Sequence, residues 1–142
     1  MGFNYRMTDI QAAVGRVQLG RLPDLLPRRV ELAGNYTRAI RDVRGLEGPF
    51  VPETMRPNYQ SYAVRVTREY RRTRDELMQA LLDRNISTRR GIMNAHQEAA
   101  YAGAAPQRLP HSEGARDNVI LLPLYGGMTD AEQHRVIEAL AE

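Results

Sequence analysis

A chain of 142 residues, 42% hydrophobic and with a formal net charge of +3, has the size and composition of one soluble domain able to bury a real core. It contains no cysteine, which excludes disulfides, thiol nucleophiles and thiolate metal sites, and no apolar run near the ~20 residues a membrane span needs. All 20 of its Lys+Arg residues are arginine, so the side chains offer no amine that could condense with an aldehyde.

The chain opens on a polar turn, Gly2-Phe3-Asn4-Tyr5-Arg6, that runs without a gap into an Ala-rich helix. Thr8-Asp9-Ile10-Gln11 reads as a capping box, and Ile10, Ala13, Val14 and Val17 follow on one apolar face. Gly20 and Pro23 punctuate the end of that helix. Leu22, Leu25, Leu26, Val30, Ala33, Tyr36 and Ile40 then predict a second, longer helix, with Pro23 or Pro27 in its first turn and its end before Gly45. Residues 45–58 hold three prolines and two glycines and read as a loop.

Tyr62, Val64 and Val66 alternate as a half-buried strand does. Thr73-Arg74-Asp75-Glu76 is a second capping box, with Leu77, Met78, Leu81 and Leu82 as the core face and Asn85 as a left-handed stop. Residues 86–90 form a short strand candidate, and short helices are expected at 94–102 and 112–118. Val119-Ile120-Leu121-Leu122 is a continuous apolar run of strand length, which predicts a central strand. After a turn at 123–127, Thr129-Asp130-Ala131-Glu132 is the third capping box, and Val136, Ile137 and Leu140 face the core.

This order predicts an α/β chain of the α+β type. A small, mainly antiparallel three-stranded sheet is packed with helices and preceded by two N-terminal helices, the second long. Residues 1–142 make a single domain, with 1–44 as its helical N-terminal segment. The first two helices carry more apolar surface than three short strands can cover. A further interface is therefore expected, with a second copy or with another domain.

Most site chemistries are absent from the sequence. GxxxxGK[ST] needs a lysine, and there is no GxGxxG. Ser61, Ser87 and Ser112 lack a nucleophile-elbow context, and His96, His111 and His134 lack metal-ligand spacing. His111 and His134 read as surface residues. Arg68–Arg74 is the one dense basic patch and reads as a solvated surface, so no nucleic-acid partner is expected. The remaining candidate is Arg89–Tyr101, where Arg90, His96, Glu98 and Tyr101 lie close in sequence. Arginine forks suit phosphate oxygens, and His and Tyr can donate to hydroxyls, the needs of a phosphorylated or sugar ligand. A plain polar surface helix fits the same residues. The N-terminus has no charged-then-apolar leader pattern, which with the absent cysteine predicts a cytoplasmic protein without a membrane partner.

Several segments in order carry a family resemblance. They are GFNYRMTDIQAAVGRVQLGRL from Gly2, Arg29–Tyr36, Tyr62–Val66, Arg74–Leu77 with Leu81, and Asn85–Arg90. His96 with Tyr101, Leu109-Pro110, Leu121–Leu124 and Met128–Glu132 complete the set. Over nearly the whole chain this set resembles the C-terminal domain of DegT/StrS-type sugar aminotransferases, which are fold-type I enzymes using pyridoxal phosphate (PLP). The resemblance implies amino transfer from glutamate to a keto sugar carried on a nucleotide, in a homodimer with sites at the subunit interface. It implies that Asn4 reaches the PLP phosphate of the neighbouring subunit, with Arg6 near the same anion. It places His96 and Tyr101 on the sugar-nucleotide side, assisted by Arg90.

The family's catalytic lysine, its ring-stacking aromatic and the acid for the pyridine nitrogen precede the Gly2 segment. The expectation is therefore a C-terminal domain or fragment of such an enzyme, inactive alone because it has no lysine, whose partner is a second copy in a homodimer or the N-terminal cofactor domain. Gly91-Ile92-Met93 also departs from the aromatic-rich stretch of many relatives. The alternative is a stand-alone dimerisation or partner-binding module without catalysis.

Overall fold

Thr8, Thr73 and Thr129 each start a helix, and in each case the box closes in both directions. The Thr hydroxyl accepts from the backbone N–H three residues on, and the Gln11, Glu76 or Glu132 side chain accepts from the Thr N–H. Two orphan donors are thereby satisfied at each start. The structure is a computed structural model that describes residues 5–101, 103 and 108–142. Its helices are α1 (Asp9–Gly20), α2 (Leu22–Ile40), α3 (Arg74–Leu82), α4 (Pro110–Asn118) and α5 (Asp130–Ala141). Two short 3₁₀ turns, Ala95–Gln97 and Ala99–Tyr101, stand where a short helix is expected.

The sheet has four strands rather than three. β1 (Leu46–Glu47), β2 (Tyr62–Val66), β3 (Arg89–Arg90) and β4 (Val119–Leu122) lie in the order β1-β2-β4-β3, all neighbours antiparallel. The additional strand lies inside the Pro/Gly-rich loop. Leu46 pairs with Val66 and Glu47 with Arg65, so β1 exists through its partner β2 and not through local alternation. Gly45 sets its approach: with φ +84 its backbone passes so close to Tyr70 that an added Cβ would meet Tyr70 N at 2.1 Å. β4 is internal, as its unbroken apolar sequence predicts.

One sheet face presents Tyr62, Val64, Val66, Ile120 and Leu122 to a core shared with α2, α3 and α5. Leu32, Tyr36, Leu77, Leu81 and Leu140 are almost fully buried in it. The Tyr36 hydroxyl donates to Pro123 O at 2.8 Å, and the Tyr62 hydroxyl meets Thr37 Oγ1 at 2.8 Å, so both buried phenols have partners. Burial pushes both above the ordinary phenol range, with the Tyr125 and Tyr62 charges adding for Tyr36 and the Thr37 bond opposing for Tyr62. Gln133, also buried, donates to Leu32 O and accepts from Asn35 Nδ2.

α3 ends in a Schellman turn. Ile86 N–H reaches Leu81 O (2.9 Å), Asn85 N–H reaches Leu82 O (2.8 Å), and Asn85 takes φ 59. Leu82 itself is 56% exposed, against the expected core role, because the buried stripe of this nine-residue helix is Leu77 and Leu81. Pro27 lies inside α2 and not in its first turn, which Pro23 occupies. α1 buries none of its residues, and Ile10 (79%), Val14 and Val17 are open to solvent. Its apolar face is real but uncovered.

Candidate functional site

Gly91 organises the ground on which the site stands. Its N–H donates to Val119 O at 2.9 Å, carrying the β3–β4 pairing one residue past Arg90. An added Cβ at Gly91 would lie 3.1 Å from Val119 Cβ and 3.3 Å from Ala115 O, so a side chain there would push β3 off the α4–β4 junction. Beyond Gly91 the chain turns through Ile92 and Met93, both strongly exposed, and leaves a cleft of about 650 Å³. Arg74, Arg90 and Arg116 supply its cations, and Glu98 and Asp117 its anions.

The first residue of α3, Arg74, has a side chain only 10% exposed. Its Nη1 donates to Arg116 O at 3.1 Å, and its Nε lies 2.7 Å from Asp75 Oδ1 as an ion pair without hydrogen-bond alignment. The same Asp75 oxygen is 3.7 Å from Arg90 Nη2. Asp75 thus draws two guanidinium groups to one end of the cleft. The Arg90 pair is well exposed and contributes at most about 1 kcal/mol, so Arg90 is easily redirected to a ligand anion.

His96 sits in the first 3₁₀ turn with its side chain 15% exposed. Its Nε2 is 3.0 Å from Glu113 Oε1 in the first turn of α4. The same Glu113 oxygen accepts from Leu109 N–H at 2.9 Å. The Leu109 N–H, then the His96 hydrogen bond, hold the Glu113 carboxyl below the usual carboxylate range, assisted by the His96 and Arg108 charges and opposed by burial. Tyr101 ends the second 3₁₀ turn, 55% exposed.

Of the residues singled out from sequence, Arg90 therefore lines the cleft. His96 and Tyr101 lie on the segment leaving it, without lining it. Arg6 is exposed just ahead of α1, and Asn4 lies outside the described residues. The sequence reading missed three participants. Arg74 is visible only as a capping-box position, Arg116 gives no motif, and Glu113 is 17 residues from the histidine it holds. The basic stretch Arg68–Arg74 is partly committed to the fold: Arg71 donates to Ala141 O and lies 5.1 Å from the Tyr70 ring centre, and Arg74 binds Arg116 O. His111 and His134 are exposed, as expected. Among the described residues no cluster of His, Asp and Glu could hold a metal ion, and no helix is long and apolar enough to cross a membrane.

The model of the DegT/DnrJ/EryC1/StrS aminotransferase family matches residues 1–141. The chain belongs to this family. SpsC, a spore coat polysaccharide biosynthesis protein of Bacillus subtilis, is 34% identical over 99% of the chain. DesV of S. venezuelae, solved in complex with a ketimine intermediate, superposes with a TM-score of 0.88 at 32% identity over 99% of the chain. Spr1654 of Streptococcus pneumoniae superposes with a TM-score of 0.84 at 26% identity over 96% of the chain, in both a PLP form and a pyridoxamine phosphate (PMP) form. The family is thus PLP-dependent. The chain spans 38% of the length of SpsC, 37% of DesV and 35% of Spr1654.

The residues of this chain do not fit covalent attachment of PLP. Its cationic side chains are arginines and histidines, and it has no lysine. Arginine can hold a phosphate through its fork but cannot take the place of the lysine amine.

Proposed function

We propose that this chain is the small C-terminal domain of a PLP-dependent aminotransferase acting on a nucleotide-linked keto sugar, with glutamate as amino donor. The observation that carries the reading is the family match across residues 1–141 in a chain without a single lysine. PLP would carry the amino group between donor and sugar. The amine that holds PLP would come from a cofactor domain outside these 142 residues.

In this reading the domain supplies the substrate side of a shared site. Arg90, drawn beside Arg74 by Asp75, faces a cleft of about 650 Å³ and meets the phosphates of the nucleotide. His96 and Tyr101 face the sugar, and Asn4 and Arg6 meet the cofactor phosphate of a neighbouring subunit in a homodimer. The uncovered face of α1 is the surface that docks on the cofactor domain or second subunit. By itself the domain binds substrate weakly and transfers no amino group.

A second reading, a self-associating module without catalysis, is favoured by one observation. α1 exposes Ile10, Val14 and Val17 together. A strict monomer in sedimentation at high concentration counts against it.

The substrate reading is tested by titrating the ¹⁵N-labelled chain with UDP-glucose and following backbone amides by NMR. Shifts concentrated at residues 90–98 and at Arg74 and Arg116, lost in Arg90→Ala, support it. A spectrum unmoved at millimolar ligand, or shifts confined to Arg68–Arg72, overturns it.

A further inference from the structure

Glu113 is in hydrogen-bond contact with His96. It stands at the start of α4, where its Oε1 closes two contacts at once: Leu109 N–H at 2.9 Å and His96 Nε2 at 3.0 Å. Both partner side chains are largely covered, His96 15% and Glu113 27% exposed. The Leu109 bond fixes the carboxylate to the helix, so the His96 ring is anchored to a rigid element rather than to its own short 3₁₀ turn. An ionised carboxylate only accepts hydrogen bonds, so the proton between the two residues is on His96 Nε2. The other ring nitrogen, Nδ1, has no hydrogen-bond partner among the described residues.

We infer that Glu113 is a positioning residue that locks the His96 ring by Nε2 and leaves Nδ1 for a hydroxyl of the bound sugar, which can donate to it or accept from it. This rests on the substrate reading above for the identity of the ligand, but the lock itself does not. A histidine held this way suits a group that can both donate and accept, such as a sugar hydroxyl, whereas the arginines of the cleft take the phosphates. The two halves of a nucleotide sugar are thereby addressed by different residues.

The lock and the ligand are tested separately in the intact chain. The Glu113 carboxyl is titrated by ¹³C NMR in wild type and in His96→Ala. Its midpoint is expected to rise in the variant while staying below the ordinary carboxylate range, because the Leu109 N–H remains. A midpoint that does not move overturns the lock. UDP-glucose affinity is then compared in wild type, Glu113→Ala and Glu113→Gln, with the methyl signals of Val136 and Leu140 confirming that each is folded.

Gln keeps an acceptor oxygen for both His96 and Leu109, so Glu113→Gln is expected to bind nearly as wild type, whereas Glu113→Ala loses about tenfold. Equal affinity in all three overturns the positioning role. A midpoint that moves as expected with no UDP-glucose binding in wild type overturns the sugar assignment and leaves the lock standing. The two failures are therefore distinguishable.

Discussion

α1 and α5 are nearly the same helix on paper. Each has 12 residues, a Thr N-cap, a complete capping box and an acid in the first turn. α5 buries Gln133, Val136, Ala139 and Leu140, and α1 buries nothing. A capping box decides where a helix starts, since its bonds are local. It carries no information about what the apolar face meets. α5 is held at both ends by distant groups. Arg28 donates to Met128 O and Asp130 Oδ1 at its start, and the Tyr70 hydroxyl and Arg71 reach Leu140 O and Ala141 O at its last turn. Among the described residues, no side-chain hydrogen bond ties α1 to the core in this way.

Two matched pairs of substitutions test this symmetry, the larger contrast first. Leu140→Ala removes a buried side chain from α5 and is expected to lower unfolding free energy by about 2–5 kcal/mol in urea melts. Ile10→Ala, the matching change on α1, is expected to stay within about 0.5 kcal/mol. If Ile10→Ala costs as much as Leu140→Ala, α1 belongs to the core and the contrast fails. Thr129→Ala is expected to cost about 1 kcal/mol of global stability. Thr8→Ala is expected to leave the melting midpoint unchanged while speeding amide exchange in α1 alone.

The core beside α5 also has a pH signature that α1 lacks. Tyr36 and Tyr62 hold their phenol protons more tightly folded than unfolded. Their contribution is complete below the ordinary phenol range and is lost as pH rises above about 10. Stability measured from neutral to strongly alkaline pH is expected to fall in that window. Tyr36→Phe is expected to flatten the fall, at a neutral-pH cost of about 1 kcal/mol for the lost bond to Pro123 O. Loss setting in well below the phenol range would assign the alkaline transition to other groups.

How much of this was legible in the sequence follows the range of the interactions. Both longer strands, the three capped helix starts and the Asn85 stop could be read, because alternation, boxes and left-handed tolerance are written within a few residues. β1 could not, because Leu46 and Glu47 become a strand only by pairing with Val66 and Arg65. Leu82 looked like core because helical spacing alone does not say how wide the buried stripe is. At the site, Arg90 was found through its neighbours in sequence. Glu113 and Arg116 were not, because α4 is brought to segment 90–101 only by the turn of the chain into β4. The lysine-free composition was legible at once, and it shapes the functional reading more than any single contact.

Reductive trapping tests that reading most directly. The pure chain is incubated with PLP, reduced with borohydride and mapped by peptide mass spectrometry. The account predicts no pyridoxyl group on any side chain, with modification confined to the N-terminal amine. A stable adduct on one specific side chain would contradict it, because the chain would then hold the cofactor without a partner domain.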